Sequence, residues 1–300
     1  MSAMLDTPQV KVRPSGAALG ADIEGVDLSK TLAPAEVDAI NAAWSDNLVL
    51  RFRGQTLNDD QLTQFSANFG ELDWAPIAAA KIRVADGDQL IESAREGRTY
   101  VTIISNVIEN GKAIGGLGAY ESIWHTDMSY NPEPPNASAL FALEVPPSGG
   151  DTGFTNMYMA YDTLPDDLRR RVEDLVCRHD ASRNSAGELR RGFDDVTDPS
   201  QTPGADHPIA RTHPVTGRKA LFLGRRRNAY IQGLPVAESE RLLDALWAHA
   251  TQDSFSWYQQ WKVGDLVMWD NRCTMHRRDA FDPHTRRLMH RTQIKGGRTA

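Results

Sequence analysis

The sequence predicts a mainly β protein with flanking helices, built as a sandwich or jelly roll. Short apolar runs recur along the 300-residue chain. Clusters of Gly, Pro, Asn and Asp separate these runs, and only a few segments have apolar residues at helical spacing. Because no internal repeat or clean linker divides the chain, we expect one domain over residues 1–300.

The first 70 residues mix helices and strands. KVRPSGAALGADIEGVDLSK is typical of brief strands joined by turns. In APAEVDAINAAWSDN the apolar residues recur at helical spacing and predict a helix, whereas LVLRFRG predicts a strand. NDDQLTQFSANFG predicts a second helix, which begins at Asn58 or Asp59 and ends at Gly70.

Two polar, glycine-rich stretches interrupt the β pattern, at about 75–120 and about 180–208. The first surrounds one plausible strand, YVTIISNV, and the second contains SRNSAGELRRGFDDVTDPSQTPGADHP. We expect each to be an insertion or a lid. Between them, AYDTLPDDLRRRVEDLVC predicts a helix. The last hundred residues alternate strand-like runs (KALFLG, SFSWYQQW, DLVMWD) with one helix, VAESERLLDALWAHAT.

Charge and hydropathy argue against nucleic acid and membrane as partners. The formal net charge of −7 provides no basic field that would neutralise nucleic-acid phosphates. No apolar run is long enough to span a bilayer, and MSAMLDTPQV lacks the features of a secretion signal, so we expect a cytoplasmic protein. Cys177 and Cys273 form no CxxC pair and indicate neither a disulfide framework nor a thiolate zinc site.

The segment SIWHTDMSYNPEPP contains a possible metal-binding pair, His125 and Asp127. If Trp124–Met128 is a strand, both side chains lie on the same face. One further histidine would complete the 2-His-1-carboxylate set of non-heme Fe(II) oxygenases. Alone, a His-x-Asp pair is more often a surface pair or a buried hydrogen bond.

His276 is the strongest of seven candidates for the third ligand. In GDLVMWDNRCTMHRRDAFDPHTRRLMHRT an apolar strand leads through a polar turn to this histidine. Arg287 and Arg291 follow, and four residues apart on a strand they would share a face. Either arginine alone is more often a solvated surface charge.

Four spaced motifs resemble those of the taurine dioxygenase and phenoxyacetate-herbicide dioxygenase family of Fe(II)- and 2-oxoglutarate-dependent oxygenases. They are WHTD, GGDT, WDNRCTMH and RLMHRT, in family order and with family spacing. GADIEGVDLS and FGEL match as well, so the resemblance spans nearly the whole chain. It implies a double-stranded β-helix core, that is, a cupin-like jelly roll, and assembly as a homo-oligomer, a dimer or a tetramer.

The resemblance also implies a role for each matching residue. His125, Asp127 and His276 would hold Fe(II). Thr152 and Arg287 would bind the distal carboxylate of 2-oxoglutarate, whose keto acid end chelates the metal. A guanidinium suits that role because its rigid fork donates two parallel hydrogen bonds to a carboxylate. Without the family spacing, Thr152 could equally be a turn-capping hydroxyl.

Arg291 would lie near the metal-bound end of the cosubstrate and reach the anionic group of the prime substrate. The implied reaction uses O2, converts 2-oxoglutarate to succinate and CO2, and hydroxylates an unactivated C–H bond. Asp127 argues against the related halogenases, which have a small residue there. The alternatives are a non-catalytic metal-binding jelly roll, against which Thr152 and Arg287 argue, and a zinc hydrolase on the same triad.

The prime substrate is predicted only as a small organic anion, a carboxylate or a sulfonate. Taurine dioxygenases carry polar residues where this chain has Ala75 and Ala78, and an asparagine where it has Glu121, so an aryloxyalkanoate-like substrate is favoured over taurine. In GRRRNAY, Arg227 would add a second cation if it turned inward. Glu121 would instead favour an ammonium group.

Overall fold

Short strands dominate the architecture. The structure, a computed structural model, describes residues 10–75, 99–119, 122–190 and 192–299. In chain order its strands are β1 Lys11–Pro14, β2 Ala21–Glu24, β3 Val49–Phe52, β4 Thr102–Ser105, β5 Ile108–Glu109, β6 Lys112–Ala113, β7 Gly116–Leu117, β8 Ser122–His125, β9 Ala137–Glu144, β10 Thr152–Asn156, β11 Val176–Asp180, β12 Gly204–Pro208, β13 Ala210–Thr212, β14 Lys219–Leu221, β15 Tyr230–Ile231, β16 Ser256–Gln259, β17 Leu266–Asp270, β18 Thr274–Arg278 and β19 Leu288–Ile294.

Helices flank these strands. They are α1 Pro34–Asn47, α2 Asp59–Ala67, α3 Met157–Asp162, α4 Asp166–Val172 and α5 Val236–Ala250, with 3-10 turns at Pro199–Gln201 and Asp253–Phe255. Among the described residues, no helix is both long and apolar enough to cross a membrane.

Two sheets form the centre of the molecule. The larger has the strand order β1-β2-β3-β17-β9-β19-β4-β7, and the smaller has the order β16-β10-β18-β8. Most neighbours are antiparallel, as in a jelly roll. The sheets pack face to face, and the rings of Phe154 on β10 and Trp269 on β17 lie 5.5 Å apart between them. The predicted mainly β jelly roll with flanking helices is confirmed.

Side-chain alternation along β17 explains why this strand is buried on both faces. Val267 and Trp269 belong to the core between the sheets, whereas Leu266 and Met268 belong to a second core beneath α1 and α2. A strand that is covered on both faces carries apolar side chains on both, which explains the apolar run in DLVMWD. The core between the sheets also includes Met275 of β18, the strand that pairs with β8 at the edge of the smaller sheet.

The helices predicted in the first 70 residues are confirmed. The Asn58 side chain caps α2 by accepting a hydrogen bond from the backbone N–H of Gln61, and the Gln61 side chain accepts one in return. The helix ends at Ala67, three residues before the predicted Gly70.

The helical stretch predicted over AYDTLPDDLRRRVEDLVC is confirmed only in part. Pro165 divides this segment into α3 and α4, because proline lacks the N–H that a continuous helix requires and restricts the residue before it. The last residues of the segment form the start of β11, in which Cys177 is buried. Burial raises the pKa of the Cys177 thiol to about 12, as expected of a cysteine that packs as a small apolar residue.

The two predicted insertions differ in how much of them the structure describes. Half of the first, residues 76–98, lies outside the described residues, and the described part includes β4 and the β5-β6 hairpin. In the second, Arg183 and Leu189 form a β-bridge, and the Arg190 N–H donates to the Ser182 carbonyl at 2.7 Å. This second stretch lies beside the cavity described next.

Candidate active site

Two histidines and one aspartate converge at the paired edge of the smaller sheet. Nε2 of His125 and Nε2 of His276 each lie 3.8 Å from the same oxygen, Oδ1 of Asp127. These separations are too long for hydrogen bonds but suit three ligands around one ion. All three side chains are buried, and their ligand atoms lie within 4.8 Å of one another. Two imidazole nitrogens and one carboxylate oxygen are a donor set that fits ferrous iron.

Strand register brings the two histidines together. His276 on β18 is the antiparallel partner of His125 on β8, so their side chains lie on one face, with ring centroids 4.1 Å apart. The predicted strand over Trp124–Met128 is wrong, because β8 ends at His125. Asp127 reaches the site from the following turn, in which Met128 has a positive φ of 47°.

Hydrogen bonds to the distal atoms orient two of these ligands. Nδ1 of His125 lies 2.7 Å from the carbonyl oxygen of Ile123, so this nitrogen carries the proton and Nε2 is left with its lone pair. The Ser138 hydroxyl donates to Oδ2 of Asp127 at 2.7 Å. In turn, the Asn271 amide donates to the Ser138 oxygen at 3.2 Å, and Trp269 donates to Asn271 at 2.9 Å.

The site favours neutral imidazoles beside an ionised carboxylate. Burial lowers the pKa of His276 to about 4 and that of His125 well below its usual range. Burial alone would raise the pKa of Asp127, but the Arg291 guanidinium and the two imidazoles together hold it below its ordinary value. These are the protonation states that metal ligation requires.

Ser138→Ala is expected to reduce iron affinity by about 10- to 100-fold, the usual loss when an outer hydrogen-bond partner of a ligand is removed. Ser138 is fully buried, so no water replaces its hydroxyl at Asp127 without rearrangement. Competition with a coloured chelator would measure the affinity. Ser29→Ala, far along the chain and only partly buried, is the control. Equal affinities in the two variants would remove Ser138 from the site.

The triad lines a cavity of about 1000 Å³, which also receives Thr152 and Arg287. Arg287 is 2% exposed, yet its guanidinium has no hydrogen bond or ion pair to any side chain that the structure describes. Burial lowers the pKa of Arg287 to about 9, and the nearby charge of Arg278 acts in the same direction. A buried, unpaired guanidinium facing a cavity is a site for an anion.

Thr152 is buried on β10, and its oxygen accepts a hydrogen bond from Nε1 of Trp261 at 2.9 Å. The bond leaves the hydroxyl proton of Thr152 available to a ligand. The preceding Gly149 and Gly150 have φ values of +73° and +71°, in the region that favours glycine. A Cβ on Gly149 would lie 2.7 Å from the carbonyl oxygen of Ala280, so GGDT fixes the backbone that presents Thr152.

Arg291 lines the same cavity and contacts the metal-binding carboxylate. Its Nη1 lies 3.1 Å and 3.2 Å from the two carboxylate oxygens of Asp127. The prediction that Arg287 and Arg291 share a face of one strand is wrong in detail. Arg287 precedes β19, and the pairing of β19 with β9 shifts register between Leu288 and Met289. Both arginines nevertheless line the cavity.

Of the residues predicted to select the substrate, only some are described, and not all of these line the cavity. Ala75 lines the cavity, whereas Ala78 and Glu121 lie outside the described residues. Arg227, which would add a second cation if it turned inward, does not do so. It is exposed, and Arg225 of the same run lines the cavity and is 7% exposed.

Several residues of the site carry no signal in the sequence. Ser138 and Gln293 donate hydrogen bonds to Asp127 from 11 and 166 positions away in the chain. Trp261 donates one to Thr152 from 109 positions away. Arg278 also lines the cavity. The indication of this is its cross-strand pairing with Thr152, between β18 and β10.

Comparison with known proteins identifies the family. The model described as "Taurine catabolism dioxygenase TauD, TfdA family" matches residues 11–293. The alpha-ketoglutarate-dependent 2,4-dichlorophenoxyacetate dioxygenase of Cupriavidus pinatubonensis is 37% identical over 292 residues, which cover 94% of this chain and 96% of that protein. The (S)-phenoxypropionate/alpha-ketoglutarate-dioxygenase of Sphingobium herbicidovorans is 33% identical and covers 97% of this chain and 96% of that protein.

A solved structure is similar over the same length. The crystal structure of AAD-2 in complex with Mn(II) and N-oxalylglycine has a TM-score of 0.77 and 33% identity, and the match covers 96% of this chain and 97% of that chain. Because the matched residues include both sheets and all four motifs around the cavity, the chain belongs to the TauD, TfdA family of 2-oxoglutarate-dependent dioxygenases.

Proposed function

We propose that the protein uses Fe(II), 2-oxoglutarate and O2 to hydroxylate an unactivated C–H bond of a small organic anion, with an aryloxyalkanoate-like carboxylate favoured over taurine. One observation carries the proposal: the convergent triad and the unpaired Arg287 guanidinium line one cavity. Relatives named for 2,4-dichlorophenoxyacetate and (S)-phenoxypropionate support the substrate class.

In this proposal His125, Asp127 and His276 hold the iron. When bound, the iron couples reduction of O2 to decarboxylation of 2-oxoglutarate, which yields succinate, CO2 and the hydroxylated product. Ser138 and the Ile123 carbonyl keep two of the ligands oriented while the reaction proceeds.

Arg287 and Thr152 bind the distal carboxylate of 2-oxoglutarate. The Arg287 guanidinium supplies charge and a fork of donors, and the Thr152 hydroxyl donates once its oxygen is held by Trp261. Arg291 stabilises Asp127 in its ionised form and lies near the metal-bound end of the cosubstrate. Burial of these groups away from water strengthens each interaction.

The apolar side of the cavity positions the reacting carbon. Ile103 and Ile104 of β4 line it together with Leu140 of β9. Ala75 stands where taurine dioxygenases carry a polar residue. Because its side chain is only a methyl group, it leaves room in this part of the cavity. We also propose a single domain with lids at about 75–120 and 180–208, a cytoplasmic location, and a homo-oligomer, a dimer or a tetramer, as the family resemblance implies.

Anaerobic addition of Fe(II) and then 2-oxoglutarate tests the proposal. Chelation of the metal by the keto acid is expected to produce a weak visible absorption band, and admission of O2 with an aryloxy acid is expected to release succinate. A non-catalytic metal-binding jelly roll or a zinc hydrolase would give neither signal. Absence of both from iron-loaded protein would reject the proposal.

A further inference from the structure

We propose that the anionic group of the prime substrate binds to a cluster formed by Arg190, Arg225 and Tyr130, and that the substrate is a monoanion with an aryl or alkyl body. The inference rests on the proposed function, because it assigns the substrate end of the same cavity. It adds two cations to Arg291, which lines the same cavity and contacts Asp127.

The three side chains form a stack on the cavity wall. The Arg190 guanidinium carbon lies 3.8 Å from the centroid of the Tyr130 ring, and that of Arg225 lies 5.6 Å from it. All three residues line the cavity that contains the metal-binding triad. Stacking on an aromatic ring holds a guanidinium in place while its N–H groups remain able to donate at its edge.

The backbone places Arg225 beside the metal centre. The N–H of Thr126, the residue between two metal ligands, donates to the Gly224 carbonyl at 3.2 Å. Gly224 has a φ of +67°, and a Cβ there would lie 2.3 Å from Nδ1 of the buried His179. The turn that delivers Arg225 to the cavity is therefore tied directly to the turn that carries Asp127, and it requires glycine.

A second set of hydrogen bonds places Arg190 over the same region. The N–H of Ile123 on β8 donates to the Ser185 carbonyl at 3.0 Å, so the loop of residues 182–190 is attached to the strand that carries His125. Arg225 donates from Nη1 to the Arg183 carbonyl of this loop at 2.7 Å. The loop and the Arg225 turn thus hold each other at the cavity.

Among the described residues, neither of these two arginines has a carboxylate counter-ion. The described lining of the cavity includes Arg190, Arg225, Arg278, Arg287 and Arg291, and two carboxylates, Asp127 and Glu188. Asp127 is paired with Arg291, and the exposed Glu188 accepts from the Asn184 amide.

The cosubstrate and the prime substrate are expected to bind to different arginines of the cavity. Arg287 and Arg278 flank Thr152, at the end of the cavity assigned to 2-oxoglutarate. Within the described residues, neither Arg190 nor Arg225 has a carboxylate partner, and Arg225 is 7% exposed. A second anion, distinct from 2-oxoglutarate, would accept hydrogen bonds from these guanidiniums and offset part of their charge.

An apolar wall defines the rest of the substrate. Val101, Ile103, Ile104 and Leu140 line the cavity together with the cluster, and they favour an aryl or alkyl body. A short zwitterion such as taurine would leave this wall uncovered and place an ammonium group among arginines. An aryloxy acid matches both features.

Binding to the iron- and 2-oxoglutarate-loaded protein under anaerobic conditions tests the inference. Phenoxyacetate and the neutral phenoxyacetamide are the probes, and titration calorimetry measures both. The unaltered protein is expected to bind the acid at least about tenfold more tightly than the amide, because only the acid forms charge-assisted hydrogen bonds. Arg190→Gln should weaken the acid by about tenfold or more and leave the amide within twofold.

Arg227→Gln is the matched control, because it makes the same change at an exposed position outside the cavity. Arg225→Lys, which keeps the charge and loses the fork, should give a smaller loss of acid binding than Arg225→Gln. The keto acid band of each variant reports whether the metal and cosubstrate sites remain intact.

The outcomes separate this inference from the proposed function. If the band forms but the acid binds no better than the amide, or if Arg190→Gln and Arg225→Gln leave acid binding unchanged, the cluster is not the anion site and the proposed function stands. If the unaltered protein gives no band, both fail. Loss of acid binding in both variants with the band retained supports the inference.

Discussion

Asp127→Ala is expected to abolish succinate release and to lower iron affinity by at least about a hundredfold, the upper end of what the loss of an outer partner costs. Asp127 is the only anionic side chain of the triad, and both histidines meet it through the same oxygen at 3.8 Å. Two neutral imidazoles would then have to hold a dication without a negative ligand. Metal analysis after dialysis and succinate assay would measure the two effects.

The same change also affects the metal-free fold. The Asp127 carboxylate accepts hydrogen bonds from Ser138, Arg291 and Gln293. Removing it leaves the buried Ser138 hydroxyl without its acceptor, at a cost of about 1–3 kcal/mol. Thermal unfolding would verify that the variant is folded at the assay temperature. Asp38→Ala, an identical change on the exposed face of α1, should bind iron and turn over normally. Full turnover by Asp127→Ala would refute its assignment as a ligand.

The sequence predicted which residues meet at the cavity better than how they meet. The spacing of WHTD, GGDT, WDNRCTMH and RLMHRT pointed to residues that the structure brings to one cavity. The local geometry inferred for them was less accurate. His125 and Asp127 do not share a strand, and their convergence depends on the cross-strand register of His125 with His276. Register is a long-range property that a two-residue motif does not encode.

The identity of the inward arginine shows the same limit. GRRRNAY has three adjacent identical side chains, so no periodicity distinguishes Arg225 from Arg227. The outcome depends on two positive φ values, at Gly224 and Asn228, and on the hydrogen bond between Thr126 and Gly224. A glycine before the run was the only local indication that the chain turns there.

Arg287→Leu is expected to raise the Michaelis constant for 2-oxoglutarate by about 100-fold or more, because the change leaves one carboxylate of the cosubstrate in a buried site without its charged partner. Arg287 is 2% exposed, so water does not easily take the place of its guanidinium. Titration of the keto acid band would measure cosubstrate affinity directly. Arg286→Leu is the matched control, because the Arg286 side chain, next to Arg287 in the sequence, is exposed and pairs with Glu144 and Glu109.

Arg287→Leu should weaken cosubstrate binding but should not destabilise the ligand-free fold. Burial lowers the folded-state pKa of Arg287 to about 9. At any pH below that value, folding buries a charged guanidinium that is solvated in the unfolded chain, and this costs free energy. The cost declines only as the pH rises through the folded-state pKa. Leucine removes this cost, and the ligand-free variant should unfold at a temperature at least as high as the parent. The rise in unfolding temperature that 2-oxoglutarate produces in the parent should disappear. An unchanged Michaelis constant, or a stabilisation by 2-oxoglutarate equal to that of Arg286→Leu, would remove Arg287 from the cosubstrate site.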